Sequence, residues 1–259
     1  MAGAGAGEGG AAAHVVVGDL DHPVLDPEDA HHLKAVLRLR PGEAVGTTDG
    51  RGGFRPCVWS GGSGLEPAGD VDVDPPRLPV LSVGFVPVKG DRPDWTVQKL
   101  TELGVDRIVV LSSERSVVRW EGERLGPHLA RLSRVARAAV MQSRQVWLPS
   151  VEWGGAVSDL LVAGLSGSAG LSGSAGLSGL SGLAVADMGG GPLGAADHTI
   201  LIGPEGGWSD AERHAAGPRR VGLGPSVLRA ETAAVAAGVL LTSLRAGLVA
   251  AADPGADGR

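Results

Sequence analysis

The chain has 259 residues, a formal net charge of −6 and a single cysteine, Cys57. This length allows one large domain or two modest ones with buried cores, and a lone cysteine excludes an intrachain disulfide and is typical of a reducing compartment. The acidic balance excludes a uniformly basic nucleic-acid coat. No apolar run reaches the roughly 18 to 20 residues that a membrane span needs, so we expect a cytoplasmic protein.

The first part of the chain predicts a small β-rich domain over residues 14–76. Residues 1–13, mostly Ala and Gly without a basic residue, are unlike a secretory signal and indicate a disordered extension. The domain's elements are a strand at 14–17, a short helix from Asp26, a hairpin of 45–48 and 54–59, and a last strand at 71–73. We place the boundary at the Pro75–Pro76 pair, because consecutive prolines interrupt regular structure.

From residue 77 to residue 250 the pattern is that of an α/β domain. The apolar run 80–86 predicts a buried parallel strand, and a helix begins at Pro93. The next strand, at 107–111, completes a βαβ unit, and a longer helix covers 127–145.

Positive charge is concentrated in one part of this acidic chain. Residues 107–144 hold eight arginines against three glutamates. Four of the arginines fall within a sector of about 140° on the predicted long helix at 100° per residue. They are Arg131, Arg134, Arg137 and Arg144. A solvated helix face and a phosphate-binding face are both compatible with this pattern.

A low-complexity repeat of Gly-Leu-Ser-Gly-Ser-Ala occupies residues 164–183. Small residues cannot bury enough surface to offset the entropy of ordering, so the repeat predicts a flexible surface loop, which we extend to residue 196. The glycines of 189–192 are interpreted as the end of that loop, close enough to the next strand to border a site. Residues 251–259 predict a disordered tail.

The most informative stretch is 199–212. Four residues suited to a buried strand run into a loop with three glycines and a proline, and Ser209 and Glu212 have the S-x-x-E spacing of a helix capping box. A glycine-rich loop between a strand and a helix is where α/β proteins bind nucleotide-like ligands. A second unit of similar design occupies 221–233, before a helix from Thr232. Together the two loops predict one composite ligand site.

The charged candidates in these loops are Glu205, Arg229 and Glu231. Metal-ligand spacings, a nucleophile elbow, a Walker loop and a Rossmann fingerprint are all absent from the sequence. Glu205 can accept hydrogen bonds from loop N–H groups, while Arg229 and Glu231 can pair with each other or face a ligand. Each alone is compatible with a structural role, and together they favour a ligand site.

Five ordered segments match the landmarks of one known family. They are residues 94–105 (Asp-Trp-Thr-Val-Gln-Lys-Leu-Thr-Glu-Leu-Gly-Val), 113–116, 142–143, 201–207 and 223–232, with an opening motif at 32–38 and 41–42. On these residues the chain resembles the RsmE family, the 16S ribosomal RNA uridine N3-methyltransferases of the SPOUT class, from about residue 24 to residue 248. One difference is the order Met-Gln-Ser-Arg-Gln at 141–145, where the family commonly has Glu-Gln-Ser-Gly-Arg.

The resemblance implies a fold, a reaction and partners. The fold is an α/β SPOUT methyltransferase domain with a trefoil knot, preceded by a PUA-like β-barrel domain that holds RNA, in a homodimer. The reaction is S-adenosylmethionine-dependent methylation of N3 of a uridine in 16S rRNA, uracil 1498 in the family, during small-subunit maturation and without a metal. The alternatives are an RNA-binding assembly factor of the same fold without methyl transfer, and a methyltransferase that acts on another RNA or a small molecule.

The resemblance also implies roles for residues. The cofactor would be bound by Leu201, Ile202, Gly203, Pro204, Glu205, Gly206, Gly207, Leu223, Gly224, Ser226, Val227 and Leu228. RNA would be contacted by Arg38, Lys89, Arg115, Arg134, Arg137 and Arg144. Our catalytic hypothesis is that Arg229 stabilises negative charge on the uracil carbonyls and that Glu231 accepts the N3 proton.

Overall fold

The computed structural model describes residues 10–120, 122–166 and 180–251. The chain forms two compact units: unit 1 consists of residues 1–77 and 137–148, and unit 2 of 78–136 and 149–259. The return of 137–148 to unit 1 was not predicted. Most of the predicted N-terminal extension, most of the 164–183 repeat and nearly all of the C-terminal tail lie outside the described residues. Within the described ranges, no helix has the length and hydropathy of a membrane span.

Unit 1 is built on a mixed five-stranded sheet. Its strands are β1 (Ala13–Val16), β2 (Ala44–Thr48), β3 (Gly53–Gly61), β4 (Gly64–Pro67) and β5 (Asp72–Val73). β1 pairs in parallel with β2, and β3 pairs antiparallel with β2, β4 and β5, which confirms the predicted hairpin. The helix α1 (Pro27–His31) continues as a π-helical turn (His32–Val36).

The two faces of this sheet have different partners, because side chains alternate along each strand. Val15, Val45 and Cys57 lie in the hydrophobic core of unit 1. On the opposite face, His14 and Thr48 bind the backbone carbonyls of Gln145 and Val146 in the returning segment. Nε2 of His14 donates to the Gln145 carbonyl at 3.0 Å. That face of the sheet is therefore partly covered by a segment distant in sequence.

Unit 2 contains a six-stranded, all-parallel sheet in the order β11–β9–β10–β6–β7–β8. The strands are β6 (Ser82–Phe85), β7 (Arg107–Ser112), β8 (Ser150–Ala156), β9 (Leu183–Gly191), β10 (Thr199–Ile202) and β11 (Arg220–Val221). The helices are α2 (Arg92–Glu102), α3 (Leu125–Ser143), α4 (Val157–Ser166), α5 (Asp210–Ala216) and α6 (Ala230–Arg245), with a 3-10 turn at Gly122–Arg124. The predicted βαβ unit is confirmed as β6–α2–β7.

The structure corrects the interpretation of 164–196 as a continuous loop. α4 extends to Ser166, and β9 occupies Leu183–Gly191, including the three glycines that were interpreted as the end of the loop. A Cβ on Gly190 would lie 2.4 Å from the Val221 carbonyl carbon, so only glycine allows β9 and β11 to approach this closely. Gly190 therefore reflects close backbone packing, and the run that contains it is part of a strand.

The sheet topology determines where a ligand site can form. The chain steps from β6 to β7 to β8 on one side of β6, whereas β10 lies on its other side, so the strand order reverses there. Open α/β sheets bind ligands at the carboxyl ends of their strands near such a reversal. The segments that leave this edge include 203–209 after β10 and 222–229 after β11, the two loops singled out in the sequence.

Candidate active site

The loop after β10 is closed by its own backbone and by the helix that follows. The N–H of Gly207 donates to the Pro204 carbonyl at 2.8 Å, and Gly207 has a φ of +68°, a conformation that favours glycine. At the start of α5, the Ser209 hydroxyl accepts from the N–H of Glu212 at 3.1 Å, and the Glu212 carboxylate accepts from the N–H of Ser209 at 2.8 Å. The predicted capping box is confirmed.

The Glu212 carboxylate also binds the segment that follows β7. It accepts from the Ser113 hydroxyl and from the N–H of Glu114, each at 3.2 Å. Because Glu212 is buried, these donors offset the cost of removing its charge from water. Glu212 therefore holds two of the loops at this edge together.

Trp208 is a structural residue of the site that sequence reasoning missed. Its side chain is 3% exposed, and its indole N–H donates to the Ala186 carbonyl in β9 at 2.8 Å. The ring also lies 3.0 Å from the place where a Cβ on Gly203 would be, so Gly203 makes room for it. The sequence does contain a signal for this role, because Trp208 directly follows two glycines in a chain with only 3% aromatic residues.

A cavity of about 120 Å³ lies between β9 and the loop after β11. Five of its lining residues were predicted to bind the cofactor: Leu223, Gly224, Ser226, Val227 and Leu228. The other four were not predicted: Ala186, Asp187, Met188 and Ala233. Val227 is 81% exposed. Exposed apolar side chains at the mouth of a cavity are typical of a ligand site.

The residues of the first loop have a different position. Leu201 and Ile202 are buried in the sheet, so their side chains are core residues and do not line the cavity. The 203–207 segment is also absent from the cavity lining. It is connected to the cavity through Trp208, which binds the backbone of the lining residue Ala186.

Two of the predicted charged residues share one arginine. Nη1 of Arg92, in the first turn of α2, lies 2.5 Å from Oε1 of Glu205 and 3.6 Å from Oε1 of Glu231. The structure therefore corrects the expectation that Glu205 accepts from loop N–H groups. Of the two alternatives for Glu231, pairing with Arg229 is not observed, since its ion pair is with Arg92. The hydrogen bond that Arg92 donates to Glu205 is the main reason that the pKa of Arg92 is raised.

Glu231 and Arg229 each present an unused polar group. The Glu231 side chain is 12% exposed, and its Oε2 is buried without a hydrogen-bond partner among the described residues. Arg229 is the exposed N-cap residue of α6, and its guanidinium makes no hydrogen bond or ion pair within the described ranges. Oε2 of Glu231 can accept a proton from a ligand, and the Arg229 guanidinium, two residues earlier, can stabilise the negative charge that the ligand then carries.

Comparison with known proteins identifies the family. An RNA methyltransferase domain model matches residues 76–242, and an RNA methyltransferase PUA domain model matches residues 25–59. The ribosomal RNA small subunit methyltransferase E of Mycobacterium bovis is 32% identical over 222 residues, which cover 83% of each chain. The chain belongs to the ribosomal RNA small subunit methyltransferase E family. The Synechocystis member is 30% identical, over 81% of this chain and 69% of its own.

Solved structures of the methyltransferase E family and its relatives have the same fold. The Neisseria gonorrhoeae enzyme bound to S-adenosyl methionine superposes with a TM-score of 0.72 at 26% identity, over 90% of this chain and 97% of its own. A probable rRNA-methyltransferase from Porphyromonas gingivalis gives a TM-score of 0.70 at 26% identity, over 92% and 100%. Both parts of the predicted fold, a SPOUT-type α/β domain and a PUA-like domain, are confirmed.

The residues around the cavity fit a methyl donor of the type that the methyltransferase E family uses. Leu223 and Leu228 provide apolar surface for a purine ring. The Asp187 carboxylate, 14% exposed, provides hydrogen-bond acceptors for hydroxyl or ammonium groups. The carboxylate lies 3.4 Å from Arg220 and 3.6 Å from Arg213, and these two ion pairs fix its position in the ligand-free protein.

The arginine-rich segment contains both paired and free arginines. Within unit 2, Arg107 pairs with Glu152 at 2.8 Å and Arg131 with Asp94 at 3.2 Å. Five other arginines of the segment are exposed: Arg115, Arg119, Arg124, Arg134 and Arg144. Most of the free charge therefore lies outside the helical sector that the sequence indicated.

Of the predicted RNA contacts, Arg137 has a structural role within unit 1. Its guanidinium lies 2.5 Å from the Asp29 carboxylate and donates to the Val16 carbonyl at 2.8 Å. The hydrogen bond to Asp29 raises the pKa of Arg137. We therefore withdraw Arg137 from the set. The remaining members are exposed: Arg38, Lys89, Arg115, Arg134 and Arg144.

Proposed function

We propose that this protein transfers the methyl group of S-adenosylmethionine to N3 of a uridine in 16S ribosomal RNA. The proposal rests on the agreement of two findings, the family match and the position of the cavity. The family match extends over both units, and the residues of its second glycine loop line the cavity at the carboxyl edge of the sheet. The cofactor supplies an activated methyl group on a sulfonium centre.

The chain's own residues bind and orient the reactants. Leu223, Val227 and Leu228 would hold the adenine of the cofactor, and Asp187 would accept hydrogen bonds from its polar groups. The loop at 203–207 supports the site from outside the cavity, held by Trp208 and by the Arg92–Glu205 pair. Holding donor and base in one orientation removes much of the entropic part of the barrier.

Proton removal is the chemical problem that the protein must solve. Uridine N3 carries a proton at neutral pH, and its lone pair becomes available for the methyl group only when that proton leaves. Oε2 of Glu231 accepts it, because this oxygen is buried and unpaired while Arg92 holds the other oxygen in place. The Arg229 guanidinium stabilises the negative charge that spreads onto the uracil carbonyls.

Binding of the RNA depends on the exposed cations. Arg38, Lys89, Arg115, Arg134 and Arg144 contact phosphates, and release of counterions makes this binding salt-dependent. The proposal also includes a homodimer, a knotted path of the chain through the two glycine loops, and a cytoplasmic location, where ribosomal subunits mature.

The test is deletion of the gene followed by mass spectrometry of nucleosides from small-subunit rRNA. We expect 3-methyluridine to disappear and to return with the wild-type gene. Arg229→Ala should bind S-adenosylmethionine normally in calorimetry yet restore little of the modification. Retention of 3-methyluridine in the deletion strain would contradict the assigned target, and absence of cofactor binding would favour an assembly factor.

A further inference from the structure

Unit 1 contains a second cavity, and the methyl-transfer reaction does not use it. Its volume is about 240 Å³, larger than that of the cavity in unit 2. Three of its lining residues, Ala13, Val45 and Cys57, belong to the hydrophobic core of unit 1. The lining residues are Ala11, Ala13, His14, Ala44, Val45, Gly46, Phe54, Pro56, Cys57 and Arg144.

Two aromatic rings form the walls of this cavity. The rings of His14 and Phe54 are nearly parallel, with an interplanar angle of 5° and centroids 6.0 Å apart. A Cβ on Gly46 would lie 2.9 Å from each ring, so glycine at this position leaves room for both. The half-buried Phe54 ring therefore offers a flat π-surface at the cavity, which suits a flat ligand.

The His14 ring is held as a neutral hydrogen-bonding group. Its Nε2 donates to the Gln145 carbonyl, which leaves Nδ1 as the acceptor in the neutral tautomer. Burial lowers the pKa of His14, an effect only partly opposed by this hydrogen bond. At neutral pH the cavity therefore has an acceptor on one wall and no charge from the ring.

Arg144 provides the positive charge at this cavity. The residue follows the end of α3 with a φ of +55°, a strained conformation for a residue with a Cβ. Strained backbone of this kind clusters at functional sites. The guanidinium is exposed, and its hydrogen bond is to the Ala11 carbonyl at 2.9 Å. In the part of the chain that the structure describes, Arg144 has no carboxylate partner, so its charge is available to a ligand.

We propose that this cavity binds one unpaired nucleobase of the RNA substrate, stacked on Phe54, while Arg144 contacts the adjoining phosphate. The inference rests on the proposed RNA-directed function and adds a site distant in sequence from the catalytic residues. Aromatic platforms combined with arginine are the usual means of binding single-stranded RNA, since every base has a π-face. The Nδ1 acceptor of His14 favours a base that presents an N–H donor.

The experiment measures binding of single-stranded oligoribonucleotides of about eight residues, oligouridylate and oligoadenylate, to the full chain by fluorescence anisotropy. Phe54→Leu removes the ring but keeps apolar bulk, Ala44→Leu fills the cavity from an exposed lining position, and Arg144→Gln removes the charge. The matched control is Arg51→Gln, since Arg51 is an exposed arginine of the same unit that does not line the cavity.

We expect Phe54→Leu and Ala44→Leu each to weaken binding about tenfold, the loss typical of one stacked base. Arg144→Gln should also weaken binding and lower the salt slope by about one, while Arg51→Gln should change affinity by less than about twofold. Thermal melting should show that all variants are folded. Wild-type affinity of both cavity variants, or equal losses with Arg144→Gln and Arg51→Gln, would overturn the proposal.

The two proposals fail in different ways. If wild-type protein binds the oligonucleotides through this cavity but the deletion strain keeps its 3-methyluridine, only the proposed function is wrong. If the wild-type enzyme methylates rRNA and Phe54→Leu matches it in RNA affinity and in KM for rRNA, only the nucleobase site is wrong. Calorimetry with S-adenosylmethionine should give the same Kd for wild type and all cavity variants, because the cofactor cavity is in unit 2.

Discussion

The two glycine loops of unit 2 look alike in sequence but differ in how they are held. In the loop after β10, Trp208 and Glu205 are bound by other parts of unit 2, and the cap residue Glu212 is buried and hydrogen-bonded. In the loop after β11, Val227 is 81% exposed and Arg229 has no side-chain partner within the described residues. Similar composition therefore conceals a division of roles. Other parts of unit 2 hold the groups of the first loop, whereas Val227 and Arg229 of the second are exposed, as our proposal requires.

The largest expected effect comes from the two carboxylates that share Arg92. Glu231 has a buried, unpaired oxygen, whereas the Glu205 side chain is 58% exposed. Glu231→Gln should lower kcat by about 10²-fold or more, the usual loss for a missing general base. Glu205→Gln should lower it less than about threefold. The measurement is steady-state methylation of small-subunit rRNA with both cofactor and rRNA at saturation.

This pair has a built-in control, because both substitutions remove one charge next to Arg92. Both variants should bind S-adenosylmethionine as wild type does. If Glu231→Gln and Glu205→Gln lose the same activity, Glu231 acts only through Arg92 and is not the proton acceptor.

How far the sequence predicts this site depends on how local each signal is. The capping box of Ser209 and Glu212 was predictable, because its two residues are three positions apart and belong to one helix start. The same holds for the apolar residues around Val227, which a short motif defines. The Arg92–Glu205 pair was not predictable, since it joins residues 113 positions apart whose meeting depends on the strand order.

The fold shows the same limit. Continuous apolar runs indicated β6 and β7, and one helix between them gave the βαβ unit. β9 was missed because its end consists of glycines, which on composition alone indicate a loop. The contact of Gly190 with the Val221 backbone, which explains that glycine, depends on a strand about 30 residues later. Arg137 was likewise assigned to RNA, because helical periodicity does not show that Asp29 is its neighbour.

The second prediction tests the scaffold role of the first loop. Trp208→Phe keeps most of the buried ring but leaves the Ala186 carbonyl without its donor. An unsatisfied buried acceptor costs about 1 to 3 kcal/mol of unfolding free energy. We expect a lower Tm, measured by calorimetry without cofactor. A Tm equal to that of wild type would mean that the indole hydrogen bond does not stabilise unit 2.

The third prediction tests the ligand role of the second loop. Val227→Ser removes an exposed apolar surface at the cavity, so the stability of the free protein should stay within about 0.5 kcal/mol of wild type. Affinity for S-adenosylmethionine should fall by a factor of about 5 to 10, because part of the apolar contact is lost. Trp208→Phe is thus expected to lower stability, whereas Val227→Ser is expected to leave stability unchanged and to lower cofactor affinity. A Val227→Ser protein with unchanged Kd would remove that side chain from the cofactor site.

The smallest expected effect is the contribution of His14 to the pH dependence of stability. His14 and Arg144 line the same cavity in unit 1, and there too one side chain is buried and the other is exposed. Burial lowers the pKa of His14 below its ordinary value of 6.5. His14 therefore binds a proton more weakly in the folded protein than in the unfolded chain. The free energy of unfolding consequently falls as the pH drops below 6.5. His14→Gln keeps a side-chain donor for the Gln145 carbonyl but cannot titrate. Urea unfolding at pH values of about 7.5 and 5.5 should show a smaller stability difference between wild type and variant at the lower pH. A difference that is constant across this interval would mean that His14 titrates alike in both states.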